Sequence, residues 1–177
     1  DGKGGYEPRF SCDLYFNDRL DAYTALQDFA SIFRGLIYYA GGSIRAFQDK
    51  PSDPIHAFTN ANVEGGNFKY QSSSRKSRFN TVAVRYNDRN NDYKPSIEVV
   101  EDIDGIRRNG VIRKEVTAFG ITRKSQAQRL GRWVISTDNL ETETMSFGAG
   151  IEAALLEPGD VVRIADNTKT SKRHGGR

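Results

Sequence analysis

Two amphipathic segments, far apart in the chain and separated by strand-like sequence, constrain the fold more than any other feature. In NDRLDAYTALQDFASIFRG, residues 17–35, Ala22, Ala25, Leu26, Phe29, Ile32 and Phe33 fall on one face at helical period. Asn17 or Asp18 offers a side-chain acceptor to the first free N–H groups, Asp21 suits the positive end of the dipole, and Gly35 can end the helix in a left-handed conformation. The spacing predicts a helix over about 19–34. The second segment, TRKSQAQRLGRWVIST at 122–137, sets Ala127, Leu130, Gly131 and Val134 as an inner stripe. Gln128, Arg129, Arg132 and Ser136 lie opposite, with Trp133 and Ile135 on the flanks. Either Thr122 caps this helix, or Ser125 and Gln128 form a capping box.

Between and around these helices the pattern is that of strands. CDLYF at 12–16 is a short strand candidate, and GLIYYA and SIRAFQ form a hairpin across Gly41-Gly42, a dipeptide that supplies positive φ angles. DKPSDP excludes a central strand through its two prolines, and 56–63 is read as short extended pieces. NFKYQSSS alternates as a half-buried strand does. NTVAVRY and KPSIEVV are strands around a turn-rich NDRNNDY, EDIDGIRRNG is a short helix ending at Gly110, and IRKEVTAF returns as a strand. ETETMSFGAG alternates, and GDVVRIAD closes the series after the turn EPGD. Helices that interrupt strands without regular alternation indicate an α+β fold, mostly antiparallel, in two strand-rich halves. Each half runs strand, helix, paired strands, a likeness of layout and not of residues. The expected organisation is a flexible segment 1–10, a domain 11–166 with subhalves 11–75 and 76–166, and a flexible segment 167–177.

A chain of 177 residues buries roughly 70% of its unfolded surface without help from metals or disulfides. It is polar, at 37% hydrophobic and 28% charged, yet its 10 Phe and 8 Tyr argue against global disorder. A net charge of +3 permits an acidic partner without requiring one. Cys12 is the single cysteine, which excludes an internal disulfide framework and suits folding in a reducing compartment. No apolar run approaches the roughly 20 residues of a bilayer-spanning helix, so no membrane insertion is expected. The termini, DGKGGY and TKTSKRHGGR, read as cut points within a longer polypeptide.

Glu141 and Glu143 are the residues closest to an acid pair. On a strand they share a face with Cα atoms about 6.5–7 Å apart, near the separations glycosidases use. Glycosidase carboxylates flank a substrate from opposite sides, however, and Glu143, Met145, Phe147 and Ala149 form one ordinary strand face. The expected role is a strand's polar entry paired with Arg129 or Arg132. His56 follows a proline in a loop and His174 lies in the tail, so neither has ligands or triad partners near it in sequence, and Cys12 sits in a strand candidate. The glycines of GKGG, AGG, EGG and GAG lack the spacing of a phosphate-binding loop. Basic clusters occur at Arg75, Lys76 and Arg78; at Arg107, Arg108, Arg113 and Lys114; and at Arg123, Lys124, Arg129 and Arg132. Solvated faces account for them better than nucleic-acid binding, because acidic residues are scattered among them. No catalytic, cofactor or metal residue is assigned.

The blocks YEPRFSCDLYF, FASIFRGLIYYAGGSIRAFQDKPSD, FNTVAVRYND, VVEDIDGIRRNG, AFGITRKSQAQRLGRWVISTDNLETETMSF and EPGDVVRIAD, in this order from Tyr6 to Asp166, resemble the tail tip attachment proteins of lambda-like bacteriophages, the host specificity proteins J. The resemblance implies a virion structural role without a cofactor. Three copies would form a baseplate-hub-like ring at the end of the tail tube, assembled in the bacterial cytoplasm. Partners would be other tail tip and tail tube proteins, with phage DNA passing nearby. A tail-associated cell-wall hydrolase using Glu141 or Glu143, and a nucleic-acid-binding module, are the competing readings.

Overall fold

The computed structural model describes residues 4–17, 19–74 and 78–169, and the backbone of 174–176. In chain order the elements are α1 (Ala22–Ile32), β1 (Gly35–Ala40), β2 (Ser43–Gln48), β3 (His56–Thr59), β4 (Lys69–Ser72), β5 (Thr81–Asp88), β6 (Lys94–Glu101), α2 (Ile103–Asn109), β7 (Arg113–Thr117), α3 (Lys124–Leu140), β8 (Glu143–Ser146), β9 (Val162–Ala165) and β10 (His174–Gly176). This is an α+β fold of small sheets. Among the described residues four strand pairings are antiparallel, and two, β3 with β9 and β5 with β7, are parallel.

The chain divides into two compact units, 1–34 with 73–142, and 35–72 with 143–177. Both are discontinuous, whereas the sequence layout suggests contiguous subhalves 11–75 and 76–166. The difference arises because β4 pairs with β8 and β3 with β9, joining segments that are distant in sequence.

In the first unit β5 lies between β6 and β7, and α3 covers one face of this sheet. The core consists of Val82, Val84, Tyr86 and Val100 from the strands, Ala118 and Ile121 after β7, and Ala127 and Ile135 from α3, with Leu130 and Val134 half-buried beside them. The helix therefore buries a stripe centred on Ala127, Gly131 and Ile135, turned slightly from the expected one. Gly131 sets this angle: a Cβ there would stand 2.7 Å from Val100 Cγ2 and 3.2 Å from Val84 Cγ2. α3 spans 124–140 and not 122–137, with Arg123 at its N-cap and no side-chain cap bond, because Thr122 is turned to Asp13. α1 likewise begins later than expected. Asp21, not Asn17, is its N-cap, accepting from Thr24 N at 2.9 Å; Asp18 lies outside the described residues. Arg34, not Gly35, takes the left-handed conformation after the helix, at φ 59°.

Residues 12–16 form no strand. Their alternation lacks a ladder partner, and Asp13 N donates singly to Gly120 O at 2.9 Å. Asn80, 3% exposed, closes the opposite end of the unit. Its Oδ1 accepts from Ile112 N at 2.8 Å and its Nδ2 donates to Gly110 O at 2.6 Å. α2 ends at Gly110, φ 75°, as the sequence predicts.

The second unit holds the β1–β2 hairpin, turned by Gly41 and Gly42 at φ 58° and 79°, the parallel and antiparallel neighbours of β9, and the β4–β8 pair. Its aromatic centre is Phe147, with ring centroids 4.8 Å from Phe58 and 5.2 Å from Phe68. β10 forms within the segment 167–177 that composition marks as flexible.

Candidate functional site

The N-terminal residues of the first unit are fastened to α3. Ser11 Oγ donates to Gln126 Oε1 at 2.7 Å, and Gln126 Nε2 returns a bond to Ser11 O at 3.0 Å. Glu7, with a side chain 9% exposed, is paired with Arg129 and lies 3.8 Å from Arg123. Hydrogen bonds from the Ser125 hydroxyl and the Arg129 guanidinium hold the Glu7 carboxyl down to about 2. Arg34 lies between Phe10 and Trp133, 5.5 and 5.2 Å from the ring centroids, and its Nη2 donates to Arg129 O at 3.0 Å. Burial, and then the charges of Arg9 and Arg129, pull the Arg34 guanidinium below its ordinary value. This cluster secures the N-terminal segment and gives Trp133 a packing role.

A second polar node lies in the other unit. Asp166, 7% exposed, accepts from Tyr70 Oη at 2.7 Å, Asn60 Nδ2 at 3.1 Å, and Thr168 N and Oγ1 at 2.9 and 2.8 Å. These bonds, the tyrosine's first, hold its carboxyl well below the usual range. Burial and the bond to Asp166 push the Tyr70 hydroxyl up to about 12. With every carboxylate bond directed to a neighbour of its own fold, the node acts as a structural clamp on the turn after β9.

The basic end of the first unit is more open. Parallel pairing places Thr81 opposite Arg113 and Val82 opposite Lys114, so the starts of β5 and β7 meet beside the end of α2. Two sequence clusters separated by about thirty residues thereby converge: Arg78 from one, and Arg107, Arg108, Arg113 and Lys114 from the other. A cleft of about 530 Å³ opens there, lined by Arg78, Phe79, Asn80, Asp102, Gly105, Arg108, Asn109 and Asn139. Lys114 Nζ stands 4.8 Å from the Phe79 ring centroid. Arg75 and Lys76, of the same basic cluster as Arg78, lie outside the described residues.

The glutamates of the suspected acid pair have separate fates. Glu141 follows the last turn of α3, its N–H donating to Thr137 O, while Glu143 begins β8 with its carboxylate 3.7 Å from Lys169 Nζ. Among the described residues neither glutamate pairs with Arg129 or Arg132, and Arg129 is taken by Glu7. Lys124, of the third cluster, is 3.4 Å from Glu98, and Arg132 is exposed. His56 meets a carboxylate that sequence proximity could not reveal: Nε2 lies 3.5 Å from Glu152, and the ring packs edge-on to Phe58 at 4.7 Å. His174 is in β10, and its side chain is outside those described. Cys12 is exposed, not held in a strand, and partial burial followed by Asp13 pushes its thiol up. Among the described residues no three His, Cys, Asp or Glu side chains gather as metal ligands, and no helix is long and apolar enough to cross a membrane.

Comparison with known proteins gives this architecture its context. A family profile described as "Putative phage tail protein" matches residues 21–177. The chain is 42% identical over 171 residues to tip attachment protein J of Escherichia phage SECphi27, covering 97% of this chain and 14% of the relative. With tip attachment protein J of Escherichia phage SECphi4 the identity is 38% over 180 residues, covering 100% and 16%. The chain thus spans only a small part of these relatives' length. The fold resembles that of a tail protein from Neisseria meningitidis MC58, at a TM-score of 0.57 and 16% identity, over 86% of this chain and 47% of that one. It also resembles a chain in the virion of a native gene transfer agent particle, at a TM-score of 0.63 and 17% identity, over 86% and 35%. The chain belongs to the phage tail protein family, and along its whole length it is similar to part of the tip attachment proteins J.

Proposed function

We propose that the region 11–166 is a hub domain of the tail tip, non-enzymatic, that joins the tail tube to the receptor-binding apparatus and supports adsorption and genome ejection. Similarity to two tip attachment proteins J along essentially the whole chain carries this reading. In the assembled tail three copies form a ring, built in the host cytoplasm and contacting tail tube and tail tip neighbours, with DNA passing through. The small sheets support such a role, because β6 and β7 both leave a free edge within their sheet, the kind of backbone surface that assembly can cover.

The test is made on phage particles whose tip attachment protein carries an epitope in the β1–β2 turn, at Gly41-Gly42. Antibody label at the distal end of the tail, and a trimeric species after cross-linking of purified tails, are the expected results. Label elsewhere overturns the location, and a largest species below trimer overturns the ring.

A further inference from the structure

We propose that the cleft at the basic end of the first unit receives an acidic peptide segment of a partner protein, with the Arg78 and Arg108 guanidiniums taking its carboxylate. The inference starts from charge that the chain leaves unmatched. Among the described residues, Arg107 lies 3.6 Å from Asp104 and Arg113 lies 3.2 Å from Glu115, so both have carboxylates of their own. Arg78 and Arg108 have none among the described residues. Arg78 Nη2 reaches only Ser73 O, at 3.5 Å, and its Nε is shut from solvent with no acceptor among the described residues. Arg108 Nε donates to Asp104 O at 3.1 Å, and no bond of its two terminal nitrogens to a described residue is present. A planar guanidinium fork matches a carboxylate in a way that an ammonium does not.

The remaining lining decides the class of partner. Asp102 adds an acceptor-only carboxylate, and Asn109 and Asn139 add amides that both donate and accept, to a cleft that already holds guanidinium donors. A peptide with an acidic side chain satisfies both, offering a carboxylate to the arginines and main-chain N–H groups to Asp102 and the amides. A phosphodiester backbone offers acceptors alone, which leaves the Asp102 carboxylate without a donor. The volume of about 530 Å³ suits a short segment, and the Phe79 ring supplies an apolar wall.

The inference does not depend on the hub assignment, since the chain itself is titrated. The probe is a blocked heptapeptide of alternating glycine and glutamate, followed through the backbone amide signals of the 177-residue chain. Saturable shifts are expected at Phe79, Asn80 and Asn109. The glutamine counterpart should bind about tenfold more weakly or worse, because it lacks the charge-assisted bonds. Arg108→Gln, and Arg78→Gln with Arg108→Gln, should each lose most of the affinity with the rest of the spectrum unchanged. Arg107→Gln should stay within about twofold, its exposed pair with Asp104 contributing little. Shifts that survive the double variant, their absence at all three amides, or tighter binding of hexathymidylate than of the peptide would each overturn the proposal.

Discussion

At the scale of single residues, two buried polar side chains hold distant parts of the first unit together. The bonds that Glu7 accepts are stronger to the carboxylate than to the neutral acid, and its folded value of about 2 lies below the ordinary 4.5. Its contribution is therefore complete above about pH 4.5 and is lost as the pH falls toward 2. Glu7→Gln should destabilise the chain at pH 7 by about 2 kcal/mol, the cost of leaving part of the Ser125 and Arg129 bonding unmade. In urea melts at a series of pH values, the gap between the two proteins should close between about pH 4.5 and 2. A gap that is constant across this range would mean that packing, and not charge, supplies the difference. Asn80→Ala removes the side-chain partners of Ile112 N and Gly110 O, two hydrogen bonds made by a side chain that is itself buried. The expected loss is about 2–3 kcal/mol. Hydrogen exchange should show the Ile112 amide opening first.

At the scale of elements, α3 depends on one missing methyl group. Gly131→Ala improves helix propensity by about 1 kcal/mol but forces a Cβ to within 2.7 Å of a stiff, buried valine. Overpacking of about 1–3 kcal/mol outweighs this gain, so the melting temperature should fall despite the better helix former. A higher melting temperature would mean that β6 yields at Val100. The same contact explains what was legible in the sequence. The hairpin at Gly41-Gly42 and the helix stop at Gly110 were readable because each is decided by the φ of local residues. The α3 stripe was readable only approximately, since the approach of Gly131 to Val84 and Val100 turns the helix toward Ile135. CDLYF alternates like a strand yet joins none, and period-two alternation carries no information about which strands pair or in which direction. The parallel β5–β7 pairing was hidden for that reason, and with it the meeting of Arg78 with the cluster 107–114. Glu7 with Arg129 and His56 with Glu152 were hidden as well, because each pair is made by tertiary packing and not by spacing.

At the scale of the whole molecule, the chain crosses between its two units three times, after residues 34, 72 and 142. Each unit nevertheless has its own centre: Val82, Val84, Val100, Ala127 and Ile135 in one, and the Phe58, Phe68 and Phe147 rings in the other. The main hydrophobic cluster of the first unit lies within 82–135, the buried Ala30 and Ile32 of α1 belong to the same unit, and the bonds that fasten the N-terminal segment, from Glu7 to Asp13, also end within it. Residues 35–72 and 143–177 should therefore be dispensable for its folding. A variant that replaces 35–72 by a Gly/Ser linker of about 12 residues, with a root-mean-square span of about 20 Å, and that stops at 142 tests this. It should unfold cooperatively, with β5, β6 and α3 amides protected from exchange as they are in the parent chain. Loss of protection throughout β5 would show that the second unit is needed to fold the first. Protection confined to β5 and β6, with α3 exchanging freely, would place the dependence at the Gly131 contact.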